Sequence, residues 1–403
     1  MLKIFLVLFF IYGVSFSFVP YAIPTSYIAL LSIIVLIIKN KLSLYIPYKL
    51  VFGVSIIFIS ASMVSYAINA PSSDLYMVKI SVVYLLMLSV FPFYIRRYYG
   101  DNSVQLLRHI GIAGFINALF IISMLLFSQL QNAYLSLVSI DTFSLIGGAD
   151  ALDSLMRLRM IGITGFSAYS TGFVQVSCAL CYLVYMNNVK ARNIDYIMWG
   201  LILVSAMIAA RSSIIGVVIL LVYYVYASKL SVITKGFFVS IFVGSLVFII
   251  TYYLMPVDTK DFFIQWITEV FTSGTQTGSV QSNIKMYIYG IDDFSIIGDS
   301  RWFGDNNDYY MNTDVGWYRV TFSIGIVGCL LWALMLLLFP IEFFLKNKLY
   351  LLDELVIILF YVVYIFALMM KGAILFDSYQ SLFFLIVFYV VFSSKRMPNE
   401  LKA

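Results

Sequence analysis

Charge is what this sequence has least of. Only 11% of its 403 residues are Asp, Glu, Lys or Arg, against roughly 25% in soluble domains. Residues 1–70 hold no acid, and their cations are Lys3, Lys39, Lys41 and Lys49 alone. With 62% of the residues hydrophobic, a water-soluble globule of this length has too little interior to hide its apolar surface. Disorder is excluded by the same composition. The net charge of +5 is small and spread along the chain, so no basic footprint for nucleic acid is present.

Other scarcities exclude chemistries. The sole histidine, His109, stands beside Arg108 at the cytoplasmic start of an apolar run; a Ser-His-Asp apparatus on the opposite face is therefore excluded. Cys178, Cys181 and Cys329 make no disulfide framework. The first two lie one helical turn apart with no further His or Cys pair near them, which reads as packing and not as a zinc site. No G-x-x-x-x-G-K-[ST] and no G-x-G-x-x-G after a strand occurs, so no nucleotide site is expected. Asp292, Asp293, Asp299, Asp305 and Asp308 match no calcium-loop spacing and read as solvated. Neither a metal nor another cofactor is expected.

What the chain has instead is long apolar runs. A bilayer core takes about 20 apolar residues in a helix, and backbone polar groups cannot stay open in lipid. Twelve runs qualify: 2–18, 21–38, 50–69, 77–95, 107–128, 169–187, 195–210, 212–228, 236–254, 316–339, 353–370 and 377–393. The first has a signal-like start without a good cleavage site and reads as a retained helix. The seventh and eighth read either as two spans or as one kinked element around Arg211. An all-α polytopic membrane protein of about twelve transmembrane helices is predicted. Its parts are helices 1–5 in residues 1–128, a loop A at 129–168, helices 6–9 in 169–254, a large loop B at 255–315, and helices 10–12 with a tail in 316–403. Most Lys and Arg of the short connections fall on one side, which the positive-inside rule makes cytoplasmic, with both termini there. Loops A and B fall on the other side with most of the acids, and long loops of this kind are commonly functional.

Within loop B, residues 261–271 read as an amphipathic helix. Phe262, Phe263, Trp266, Ile267, Val270 and Phe271 share one face. It is either an interfacial helix near a lipid substrate or a lid on the bundle. Residues 273–283 read as a flexible stretch. Arg157, Arg159, Arg211, Arg301 and Arg319 cluster toward the same face. Arg211 lies about 24 Å of helix beyond Asp195, near the outer edge of the core. Guanidinium forks match phosphate oxygens and stay charged, so convergent arginines at this boundary suggest a phosphate or pyrophosphate head group. Snorkelling and salt bridging are the plainer alternatives.

Three segments carry a resemblance to a family. Residues 157–172, RLRMIGITGFSAYSTG, lead into a span; residues 210–216 read ARSSIIG; residues 314–328, DVGWYRVTFSIGIVG, hold Asp314, Gly316, Trp317, Arg319 and Gly325 in a D-x-G-[aromatic]-x-R-x(5)-G pattern. Together with the many spans and two long loops, they resemble the O-antigen polymerase (Wzy-type) family of bacterial polysaccharide polymerases. Lys285 stands where many relatives have an arginine. The resemblance implies a glycosyltransferase of the bacterial inner membrane that works without metal or nucleotide. Its implied substrates are polyprenyl-pyrophosphate-linked oligosaccharides, and a chain-length regulator is an implied protein partner. Arg157, Arg159, Arg211, Arg301, Arg319 and Lys285 would bind pyrophosphate. Asp314 would be the base, with Glu269 second. Trp317 and Tyr318 would stack on sugar or form an interfacial belt. A lipid-linked oligosaccharide flippase is the main alternative; it would carry charges through the middle of the bundle, where this sequence has almost none. O-antigen ligase is disfavoured by the lack of an outer-loop histidine, and a non-catalytic scaffold leaves the arginines unexplained.

Overall fold

The computed structural model describes residues 2–19, 23–40, 45–138, 162–164, 168–227, 230–254, 260, 264, 281, 284–305, 308–347 and 352–394. Arg157, Arg159 and Glu269 lie outside them, as does nearly all of the expected helix at 261–271.

The described chain is helical. In order come α1 (Leu2–Ile11), α2 (Thr25–Lys39), α3 (Lys49–Ile68), α4 (Tyr76–Tyr99), α5 (Val104–Leu126), α6 (Ser128–Leu135), α7 (Ala168–Asn188), α8 (Asn193–Ala209), α9 (Ser213–Ala227), α10 (Leu230–Leu254), α11 (Gly316–Asn347), α12 (Leu352–Met369), α13 (Ile374–Asp377) and α14 (Leu382–Ser394). Among the described residues seven helices are long and apolar enough to cross a membrane: α3, α4, α5, α7, α10, α11 and α12. The fold is thus all-α and of multi-pass membrane type. Each of the twelve expected runs overlaps a helix, but five fall short of that length. The reasons are local. A turn at 210–212 separates α8 from α9, and a buried turn at Ser378–Ser381 delays the start of α14.

The chain forms two compact units, neither continuous in sequence. One comprises Met1–Leu31 with Val104–Thr277, the other Ser32–Ser103 with Gly278–Ala403. In the first, α5, α7 and α8 approach closely because small residues face large ones. A Cβ on Gly111 would lie 2.1 Å from the Tyr182 ring, and one on Gly114 2.6 Å from Cys178. Small residues let membrane helices pack and buried polar groups pair across them. The Gln175 amide donates to Gly114 O (3.2 Å) and Ser205 Oγ (2.6 Å) and accepts from the Tyr12 hydroxyl. Cys178 and Cys181 are buried free thiols.

In the second unit, α11 departs from the unbroken helix that its apolar run suggests. Gly325 has φ 72° and ψ 178°, which interrupts the helix. A break in a span is tolerated where other groups satisfy the freed backbone, and here residues 295–300 do so. Asp299 N donates to Phe322 O (2.7 Å) and Ser300 N to Ser323 O (2.9 Å), while Ile326 N and Val327 N donate back to Ser295 O and Ile296 O at 3.1 and 3.3 Å. The approach needs glycine on both sides: a Cβ on Gly325 would lie 2.1 Å from Ile296 O, and one on Gly298 2.3 Å from Gly325 N. From α3, Ser65 Oγ donates to Ser323 O and Asn69 Nδ2 to Gly298 O. The last part of loop B is therefore built into the helix bundle of this unit.

Candidate functional site

The site forms at the start of α11. Thr313 Oγ1 accepts from Val315 N (3.3 Å) just before the helix, and Arg319 N donates to Val315 O in its first turn. This sets Arg319 one turn inside an apolar helix with only 2% of its side chain exposed. A charge held out of water needs partners. Arg319 Nη1 lies 3.0 Å from Asp377 Oδ2 and 3.9 Å from Asp314 Oδ1. Its guanidinium carbon is 4.0 Å from the Trp302 ring centroid and 4.3 Å from that of Tyr309, a cation–π environment.

The two rings are delivered by a tight turn. Phe303 pairs with Tyr309 as an antiparallel bridge, and Gly304 N donates to Asp308 O (2.9 Å). The turn is tied to the α3–α4 connection through Asp74. Its Oδ2 accepts from Trp302 N (2.6 Å) and Phe303 N (3.3 Å), and its Oδ1 from Tyr76 N (3.0 Å). Tyr76 then stacks on Trp302 with centroids 4.9 Å apart. Ser300, Met311 and Asn312, which flank the turn, all have φ between 50° and 57°. Left-handed backbone at non-glycine residues costs of order 1 kcal/mol each and is concentrated at functional sites.

Arg301 donates to Asp305 and lies over the Tyr310 ring (5.0 Å), while Ser323 Oγ donates to its carbonyl (2.6 Å). The Tyr310 hydroxyl donates to Asp299 (3.0 Å). Burial, and then the Asp299 carboxylate, raise the Tyr310 phenol above its ordinary range. Lys285 is exposed. Trp317 packs on Trp332 and Phe366, and the Tyr318 hydroxyl donates to Tyr289 O with its ring against Phe294. Both aromatics are thus packing partners within this unit. Arg211 belongs to the other unit, in the half-buried turn between α8 and α9.

Of the residues singled out in the sequence, Asp314, Arg319 and Arg301 belong to this cluster. Asp377, Asp74, Trp302 and Tyr309 were missed. The one available signal was an acid at the end of an apolar run, which Asp74 and Asp377 both satisfy. Chemically, the cluster offers two carboxylates on one fixed cation, with Asp314 36% and Asp377 32% exposed. Such groups can take a proton from an approaching hydroxyl. Arg319 itself is enclosed, so a phosphate reaching it must displace Asp377 or a ring. No family model, no curated protein and no solved structure matches the chain.

Proposed function

We propose that this protein joins polyprenyl-pyrophosphate-linked oligosaccharide units at the outer face of a bacterial inner membrane, as an O-antigen-type polymerase. The observation that carries the reading is a buried arginine paired with two part-open carboxylates where an apolar helix begins. On this reading the chain crosses the membrane twelve times with both termini cytoplasmic, and loops A and B are periplasmic. A lipid-linked donor arrives already activated, so neither nucleotide nor metal is required. The hydroxyl of one unit attacks the anomeric carbon of the other. The bond to the pyrophosphate oxygen breaks, the lipid pyrophosphate leaves, and Asp314 or Asp377 takes the hydroxyl proton. Glu269 is a further candidate for that base. Arg319 holds both carboxylates in place. Arg301 and Lys285 neutralise the leaving charge, and Arg157, Arg159 and Arg211 remain phosphate-binding candidates from the sequence alone. Trp317 and Tyr318 are proposed to face sugar only at their edges, since their rings are packed. A chain-length regulator would act on the assembled enzyme.

The test is the surface polysaccharide of a deletion strain complemented with Asp314→Asn, Asp377→Asn and the double variant, with membrane levels checked. The double variant is expected to leave single repeat units on the acceptor. Long polymer from the double variant would overturn the proposal. Loss of all repeat units in the deletion strain would instead indicate the flippase or ligase reading.

A further inference from the structure

From Val327 to Leu345 every exposed residue of α11 is apolar, and the next exposed one is Lys346. Val327, Leu330, Leu334, Leu337 and Ile341 recur at steps of three and four, the spacing of one helix face. From Val327 to Leu345 the helix rises about 27 Å at 1.5 Å per residue, close to a hydrocarbon core of roughly 30 Å. Before Val327 no residue of α11 is exposed. A bilayer matched to this face therefore has its hydrocarbon edge at Val327, just past the break at Gly325. The neighbouring helix α12 gives the same level. Asp353 is exposed at its start, and the exposed Met370 beyond its end lies about 26 Å further along.

Residues 284–297 are tied to that level at both points. Ile296 O accepts from Val327 N (3.3 Å), and the Tyr287 hydroxyl donates to Met370 O. Between these ties, Tyr289 and Phe294 pack on Phe322, each with centroids 4.9 Å apart. Tyr287 and Tyr289 also meet the Tyr318 ring, and tyrosines gather at membrane interfaces. Ile288, Ile291 and Ile296 have no such cover and are between 68% and 81% exposed; Ile284 is exposed as well. A single exposed apolar side chain needs no explanation, but several in one short segment mark an interaction surface. Lys285, Asp292 and Asp293 are exposed among them, a mixture suited to the polar edge of a bilayer and not to its interior. In the turn joining Phe303 to Tyr309, by contrast, the exposed described residues are Asp305 and Asp308.

We infer that residues 284–297 form an interfacial collar, with Ile288, Ile291 and Ile296 inserted among the upper acyl chains of the leaflet on the Arg319 side. The partner is lipid, because the pairing of Ile296 with Val327 makes the isoleucines a continuation of the apolar face of α11. This part of loop B is then a membrane-facing surface, whichever reaction the Arg319 cluster serves.

The test places a spin label on the full chain in phosphatidylcholine nanodiscs. The parent carries Cys329→Ser, and its buried Cys178 and Cys181 are checked to stay unlabelled. Labels at Ile288→Cys, Ile291→Cys and Ile296→Cys are compared with Leu330→Cys in the apolar face and Asp305→Cys in the turn. Power saturation is measured with oxygen, which concentrates in hydrocarbon, and with a water-soluble nickel chelate. At the three isoleucine positions the oxygen-to-nickel ratio is expected to lie several-fold above that at position 305 and to approach that at position 330, with melting midpoints like the parent's. A ratio at positions 288 and 291 equal to that at 305 puts the segment in water and overturns the inference. Weak collision with both reagents puts a second copy or another protein over the isoleucines, and midpoints lowered at all three show them to be packed; either result overturns it too. None of these outcomes bears on polymer formation, which is read separately.

Discussion

A guanidinium with almost no surface on water must have its charge met from within the protein. For Arg319 that is done by Asp377 and Asp314, and by two aromatic rings. Removing one partner of a buried pair costs about 3 kcal/mol, because the other charge is stranded. Arg319→Ala should therefore lower thermal stability in detergent and, on the proposed function, abolish polymer. Arg319→Lys should not restore it, since an ammonium lacks the planar face that stacks on Trp302. Adding Asp377→Asn to Arg319→Ala should recover part of the stability and none of the polymer. If Arg319→Ala melts like the parent chain, the pairing carries no weight. Asp314, Arg319 and Gly325 were legible because one short motif holds them. Asp377 is 58 residues from Arg319 and Asp74 is 228 from Trp302. No local pattern joins acids so far apart, and only tertiary packing does.

At the scale of elements, α11 is the instructive case. Its apolar composition reads as a continuous helix, since a lone glycine in a helix is tolerated. The break at Gly325 is caused by a second segment, residues 295–300, whose fit against α11 no single-helix period encodes. Gly325→Ala puts a side chain into a backbone region close to glycine-only and against Ile296 O, at a cost of at least about 2 kcal/mol. Gly298→Ala should behave alike, because its Cβ meets the other side of the same contact. Gly53 in α3 is the control. Nothing lies within 4 Å of its Cβ position, so Gly53→Ala should be neutral or stabilising by up to about 1 kcal/mol. Melting midpoints of the three purified variants check the ordering, and a Gly325→Ala protein as stable as Gly53→Ala would show that the break is not needed.

For the molecule as a whole, the apolar runs were legible and the two units were not, because each unit is assembled from separate stretches of chain. The proposed orientation gives a direct expectation. Alkaline phosphatase fused after Asp292 should be active, and a fluorescent protein fused after Ala403 should glow; the reverse pattern would invert the topology. The insertion at Gly325 also has a consequence for the order of biogenesis. The amides that complete α11 belong to Asp299 and Ser300, which leave the ribosome before Phe322 and Ser323 do. An open carbonyl in lipid costs several kcal/mol, so α11 cannot settle stably until residues 295–300 have folded back onto it. Lesions in residues 295–300 should therefore behave as defects of membrane insertion, with the newborn chain held at the translocon and cleared by proteases.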